Sequence, residues 1–215
     1  MEALQNNIED IINKNEKIID IWARRTPGFE KKYALKKEDA VKLGKNEGVI
    51  RRLSDYGFGA TSHTEDKGKI LGSGYEPLIL AFFIGLYSGR KLPLSDDIDD
   101  IQERGCGQPI QYWGNLDSKK NRHAYSGLRS YIFMALVAKT DIDWIALDKG
   151  TIKVNTVVTQ LMKTMEEYIN YGLMVMQDKI DEDINYFYSN RSFLDMFLQL
   201  TKKEENSIEE EPEEL

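Results

Sequence analysis

Cysteine is almost missing from this chain: Cys106 is the single one in 215 residues. No disulfide can form within it, and a structural zinc site built from several thiolates is excluded. Histidine is nearly as scarce. His63 and His123 stand sixty residues apart, with no H-x-x-x-H spacing to hold zinc. Long apolar runs are lacking too. The longest, 78–87, has ten residues, half of the roughly 20 that a membrane-crossing helix needs. The first residues, MEALQNNIEDIINKNEKIID, alternate charge with isoleucine and show no apolar leader core, so a cytoplasmic, reducing compartment is expected. No membrane association and no cofactor are predicted.

Two phosphate-binding signatures fail on their residues. The glycine-rich stretch 55–76, DYGFGATSHTEDKGKILGSGYE, contains Gly68-Lys69, but Ile70 stands where a P-loop needs Ser or Thr. Gly57-Phe58-Gly59 is followed by Ala60-Thr61-Ser62, without the third glycine of a dinucleotide fingerprint. What remains is a long connection whose backbone amides, with Lys67 and Lys69 beside them, could meet an anion.

Hydrophobic residues make up 41% of the chain, enough for a core, and charged residues 30%. The fold is expected to be all-α, a multi-helix globular bundle. Residues 1–203 are read as one helical domain and 204–215 as an acidic disordered tail, which holds seven glutamates and no basic residue. Apolar residues at spacings of three and four predict helices over 2–24 and, with a break at Gly44 to Gly48, over 36–54. The run opened by Pro77 and closed by Gly89 predicts a buried central helix over about 76–88. Further helices are expected from Ser95 or Asp96 as N-cap, over 122–139, 142–147 and 192–202. The strongest periodicity spans 152–188, from Val154 to Phe187, and predicts a long C-terminal helix. A short hairpin around Lys69 to Leu71 is the only strand expected.

Charge is unevenly placed. Net charge is −7, yet 24–52 carries ten Lys/Arg against four acids. Its pairs Arg24-Arg25, Lys31-Lys32, Lys36-Lys37 and Arg51-Arg52, with Lys67 and Lys69, are candidate contacts to nucleic acid or another anionic partner, because phosphate neutralisation dominates such binding. Trp22, Phe29, Tyr33, Tyr56 and Phe58 are interleaved and could stack on bases, although no diagnostic nucleic-acid motif is present. The long helix 152–188 is the candidate protein-partner surface. It carries Met162, Met165, Met174 and Met176 with Tyr168 and Tyr171, and methionine adapts to irregular surfaces. A bundle-core role explains the same pattern.

Asp96, Asp97, Asp99 and Asp100 offer hard oxygen ligands for a cation but break the EF-hand pattern, and helix capping explains them equally. Cys106, between two glycines and near Arg104, could form a nucleophile–base pair with His63 or His123. The leading expectation is a non-catalytic adaptor or accessory subunit of a multi-protein assembly, associated with nucleic acid through the basic segment. The alternative is an enzyme, a hydrolase or transferase, with a site between the 55–76 and 104–123 loops.

Overall fold

The structure, a computed structural model, describes residues 17–56, 69–102, 108–114, 125 and 127–208. Among the described residues the elements in chain order are α1 (Ile18–Ala23), β1 (Phe29–Glu30), α2 (Lys37–Lys42), α3 (Val49–Leu53), α4 (Glu76–Tyr87), β2 (Ile101–Gln102), α5 (Leu128–Lys139), α6 (Trp144–Asp148), α7 (Val154–Glu182) and α8 (Ser192–Ile208), with four 3-10 turns between them. The described residues are mostly helical, as the spacing of apolar residues predicts. The chain divides into two compact units, Met1–Pro27 with Gln108–Thr164, and Gly28–Gly107 with Met165–Leu215.

In the first unit, Trp22 of α1 is fully buried and packs on Phe133 of α5, ring centroids 5.5 Å apart. The Ile110 amide donates to the Arg25 carbonyl (3.0 Å), which holds the 3-10 turn Ile110–Tyr112 on the end of α1. α5 buries Ile132 and Leu136, four apart on one face. Asp143 caps α6 by accepting from the Ala146 amide at 2.8 Å. Val157, Val158 and Leu161 on the first turns of α7 complete this core.

In the second unit, α4 and the remainder of α7 cross at their smallest residues. A Cβ on Gly172 would overlap the Ala81 carbonyl, and one on Gly85 would overlap the Tyr168 carbonyl. The two backbones therefore touch, and Phe82 meets Tyr168 edge-on at 6.0 Å. α4 ends as its sequence predicts. Gly89 takes φ +62°, its amide donates to Leu86 and the Arg90 amide to Gly85, which satisfies the last carbonyls of the helix. α8 covers α4, with Phe197 edge-on to Tyr87 at 6.0 Å.

Four expectations change. The hairpin near Lys69 to Leu71 is not formed; the Leu71 amide donates instead to the Leu53 carbonyl. The pairing that does occur is antiparallel between Phe29–Glu30 and Ile101–Gln102. That pairing also explains why 95–100 makes only the 3-10 turn Ile98–Asp100: the chain must be extended again at Ile101. The cap is Asp97, which accepts from the Asp99 amide at 2.9 Å, rather than Ser95 or Asp96. The long helix stops at Glu182 because Asp183 turns its carboxylate onto the Asn185 amide (2.9 Å), offering the backbone a local alternative to helix. α8 runs on to Ile208, so the first residues of the predicted acidic tail are helical; 209–215 lie outside the described residues.

Candidate functional site

The basic residues do not behave as one set. Arg24 and Arg25 are exposed at the end of α1, in the first unit. The others that are described belong to the second. Arg51 is turned inward: its Nε donates to the Ala34 carbonyl (2.6 Å), its Nη1 to the Tyr56 carbonyl (3.2 Å), and its guanidinium lies 4.9 Å from the Tyr56 ring. Arg52 Nη2 donates to the Ile184 carbonyl (3.1 Å), with the Tyr188 ring 5.4 Å away. Lys69 donates to the carbonyls of Arg51 and Arg52, where a cation meets the negative end of α3. Lys31 donates to the Asp99 carbonyl, and Lys32 pairs with Glu30. Lys36 and Lys37, which open α2, remain exposed, as does Lys45 beyond its end. Lys67 lies outside the described residues.

The carboxylate of Glu76 accepts from the amides of Gly72 (3.2 Å) and Ser73 (3.1 Å). These amides, at the end of the glycine-rich stretch, are thus held by the protein's own carboxylate. Asp96, Asp97, Asp99 and Asp100 are exposed on one turn. Asp97 caps it and Asp100 accepts from the Ser95 hydroxyl at 3.1 Å. Among the described residues, no group of three His, Cys, Asp or Glu is arranged to hold a metal. His63, Cys106 and His123 lie outside the described residues. In the methionine-rich part of α7, Met165, Leu173 and Met176 are buried, while Met162 and Met174 are half-buried.

Two features were not singled out from sequence. The first is a polar node around Glu30, a buried residue on β1. Its Oε1 accepts from Asn170 Nδ2 (3.0 Å) and from the Ser95 amide (3.2 Å), while Lys32 pairs with Oε2. Asn170 Nδ2 also donates to the Pro93 carbonyl at 2.9 Å. Burial by itself would raise the Glu30 carboxyl, but the hydrogen bonds from Lys32 and Asn170, the Lys32 charge and the Ser95 amide outweigh it and hold the group below its ordinary value.

The second is a cleft of about 640 Å³ in the second unit, between the 3-10 turn Lys31–Ala34, the end of α2 and one face of α7. Leu35, Leu43 and Met174 give it apolar walls, and Asp178 and Asp181 stand on its α7 side. Positions 174, 177, 178 and 181 share a face because a helix repeats every three to four residues. Gln177 is fixed at both ends. Its Oε1 accepts from the Val49 amide (2.8 Å) and its Nε2 donates to Asp181 (3.1 Å), which also accepts from Asn46 Nδ2 (2.9 Å). Asp178 receives no hydrogen bond from the described residues, and burial, Asp181 and Glu182 push its carboxyl up. Tyr33 lines the cleft with only 2% of its surface exposed, and the Lys32 ammonium lies beside it, 4.9 Å from the ring centroid. Burial raises the Tyr33 hydroxyl, and the Glu30 and Asp178 charges add to this; the Lys32 charge and a hydrogen bond with Lys32 oppose it.

The chain matches no family model, no curated protein and no solved structure. Among the described residues, no helix is long and apolar enough to cross a membrane.

Proposed function

We propose that the protein is a non-catalytic accessory subunit that acts by binding a protein partner through its first unit. One observation carries this reading. α5 has an apolar face turned to its core, Ile132 and Leu136, and a second set of large side chains turned to solvent. Tyr131 and Met134 lie one turn apart there, with Met134 69% exposed. On α6, Trp144 and Ile145 are exposed as well. Exposed apolar side chains that form one contiguous patch mark interaction surfaces, and this reading takes these four as one patch. This reading favours the first unit over the long helix, where Met165 and Met176 are buried and Met162 and Met174 are half-buried.

The second reading, contact with nucleic acid or another anionic partner, is favoured by exposed lysines alone. Lys36, Lys37 and Lys45 support it, while Arg51, Arg52 and Lys69 are engaged with main-chain carbonyls.

The test compares the native chain with Tyr131→Ser/Met134→Ser, both expressed at equal level and purified from the native source. A stoichiometric partner present with the native chain and lost with the variant, at unchanged Tm, supports the reading. The same partners with both chains would sink it. Fluorescence anisotropy against single- and double-stranded DNA and RNA, across a salt series, addresses the second reading. That reading expects affinity that falls steeply with salt and falls again in Lys36→Glu/Lys37→Glu. No binding at low salt removes it.

A further inference from the structure

We propose that α5 pairs with the α5 of a second copy of this chain, antiparallel across a two-fold axis. The inference rests on the reading of this face as an interaction surface and names its occupant.

The sequence of α5 asks for more burial than its own unit provides. From Ser130 to Ala138 the helix carries no charged residue. A helix that is apolar all round is one buried all round, yet α5 buries one side only, through Ile132 and Leu136. On the other side stand Tyr131, Met134, Ala135 and Ala138. Their positions are i, i+3, i+4 and i+7, so they form one stripe along the helix. Tyr131 is 51% and Met134 69% exposed; Ala138 is exposed and Ala135 half-buried.

The order of sizes along the stripe selects the occupant. Two large side chains come first and two small ones follow. Let a second copy lie antiparallel, with the axis between positions 134 and 135. Tyr131 then meets Ala138 of the second copy, and Met134 meets its Ala135. Each large side chain faces a small one, and the axis repeats both pairs. The stripe is therefore complementary to itself, which is what an isologous contact requires. A parallel pairing in register would set tyrosine on tyrosine and leave a gap at the alanines. Charge agrees with this choice. The stripe offers a charged partner nothing to pair with, and a second copy brings no charge to it. The antiparallel arrangement also sets opposite helix-dipole ends side by side.

Area sets the strength. The exposed parts of Tyr131, Met134, Trp144 and Ile145 come to about 450 Å² per copy, at roughly 200 Å² for a large side chain. Two copies together approach the roughly 1,000 Å² that a specific interface must clear, and the alanines and a polar rim add to it. The dimer belongs at the weak end of specific association.

Sedimentation velocity on the full chain, from low to high micromolar concentration, reads this equilibrium. A reversible monomer–dimer system is expected. Ala138→Leu makes the face more apolar but fills the space that Tyr131 of the second copy needs. It should weaken the dimer about tenfold or more, whereas indiscriminate apolar sticking would grow. Met134→Glu and Met134→Lys each set like charges across the axis and should leave a monomer. An equimolar mixture of those two variants should dimerise again. All three substitutions fall on exposed positions, so Tm at low concentration should not change. A chain that stays monomeric at every concentration overturns the proposal. The reading of the face as a partner surface would survive that result if the Tyr131→Ser/Met134→Ser comparison recovers a different protein. A dimer kept at full strength by Ala138→Leu and Met134→Glu lies elsewhere on the chain and overturns the proposal. A Glu/Lys mixture that stays monomeric overturns it as well.

Discussion

Glu30 shows how much a single buried carboxylate can organise. It joins β1, the 92–95 segment and the middle of α7 through Asn170, 140 residues away in sequence. Replacing it with alanine takes the acceptor from the Ser95 amide and from one of the Asn170 contacts, while Asn170 keeps the Pro93 carbonyl and the exposed Lys32 returns to water; a part-buried group losing its acceptor costs about 1–3 kcal/mol. Urea denaturation should therefore show Glu30→Ala destabilised by about 1–3 kcal/mol, with Glu30→Gln losing less because an acceptor oxygen remains. The pH dependence has a definite sign. The folded carboxyl is held below its ordinary value, so its stabilisation is present above the ordinary carboxylate range and is lost as pH falls through the folded value. The stability gap between wild type and Glu30→Gln should close in acid. Asp178 works in the opposite sense: its raised carboxyl disfavours the folded state when ionised, and acid relieves that.

Arg51 makes a related point. A paired arginine in a basic segment reads as an anion contact, yet its fork closes on Ala34 and Tyr56. Arg51→Lys keeps the charge and loses the fork, so it should cost about 1–2 kcal/mol in thermal or chemical denaturation. Charge reversal at this position would report on folding before it reported on binding.

Among the elements, the α4–α7 crossing is the most demanding. Gly172 sits on the Ala81 carbonyl, and no rotamer relieves a Cβ placed against backbone. Gly172→Ala is expected to destabilise by about 3 kcal/mol or more, since overpacking at a rigid contact forces the helices apart. Gly89→Ala is milder, about 1 kcal/mol: its neighbourhood is open and only the positive φ is disfavoured. Circular dichroism melts of the two variants should rank them in that order. That α4 is apolar on every side was legible at once. The closeness of the crossing was not, because Gly85 and Gly172 look like ordinary breaks in helical runs. Their meaning depends on which helix lies opposite.

At the scale of the whole chain, the net charge of −7 and the basic segment 24–52 raise the question of an anionic partner. Folding divides that segment. Arg24 and Arg25 fall in one unit and the remaining pairs in the other, and several of the latter are turned onto carbonyls. Any salt-dependent association of the second unit should therefore respond to Lys36, Lys37 and Lys45 and little to Arg51 and Arg52. Anisotropy with Lys36→Glu/Lys37→Glu against a stability-matched Arg51→Lys measures that difference. The same folding leaves Tyr131, Met134, Trp144 and Ile145 outside, on elements whose apolar content reads from sequence as plain core.

The helices of this protein follow from local rules that need only neighbouring residues. A spacing of three to four apolar positions sets α5 and α7, proline and glycine bound α4, and the break between α2 and α3 falls at the two glycines expected to make it. What each helix faces, and what each charge does, depends on residues far away. Glu30 acquires its partners from Ser95 and Asn170, Arg52 from Ile184, and Val49 from Gln177. Helix formation is a short-range balance of backbone bonding and side-chain pattern. The satisfaction of buried polar groups is settled only when distant segments meet, and so it was the tertiary structure alone that separated the spent cations from the exposed ones and opened the cleft.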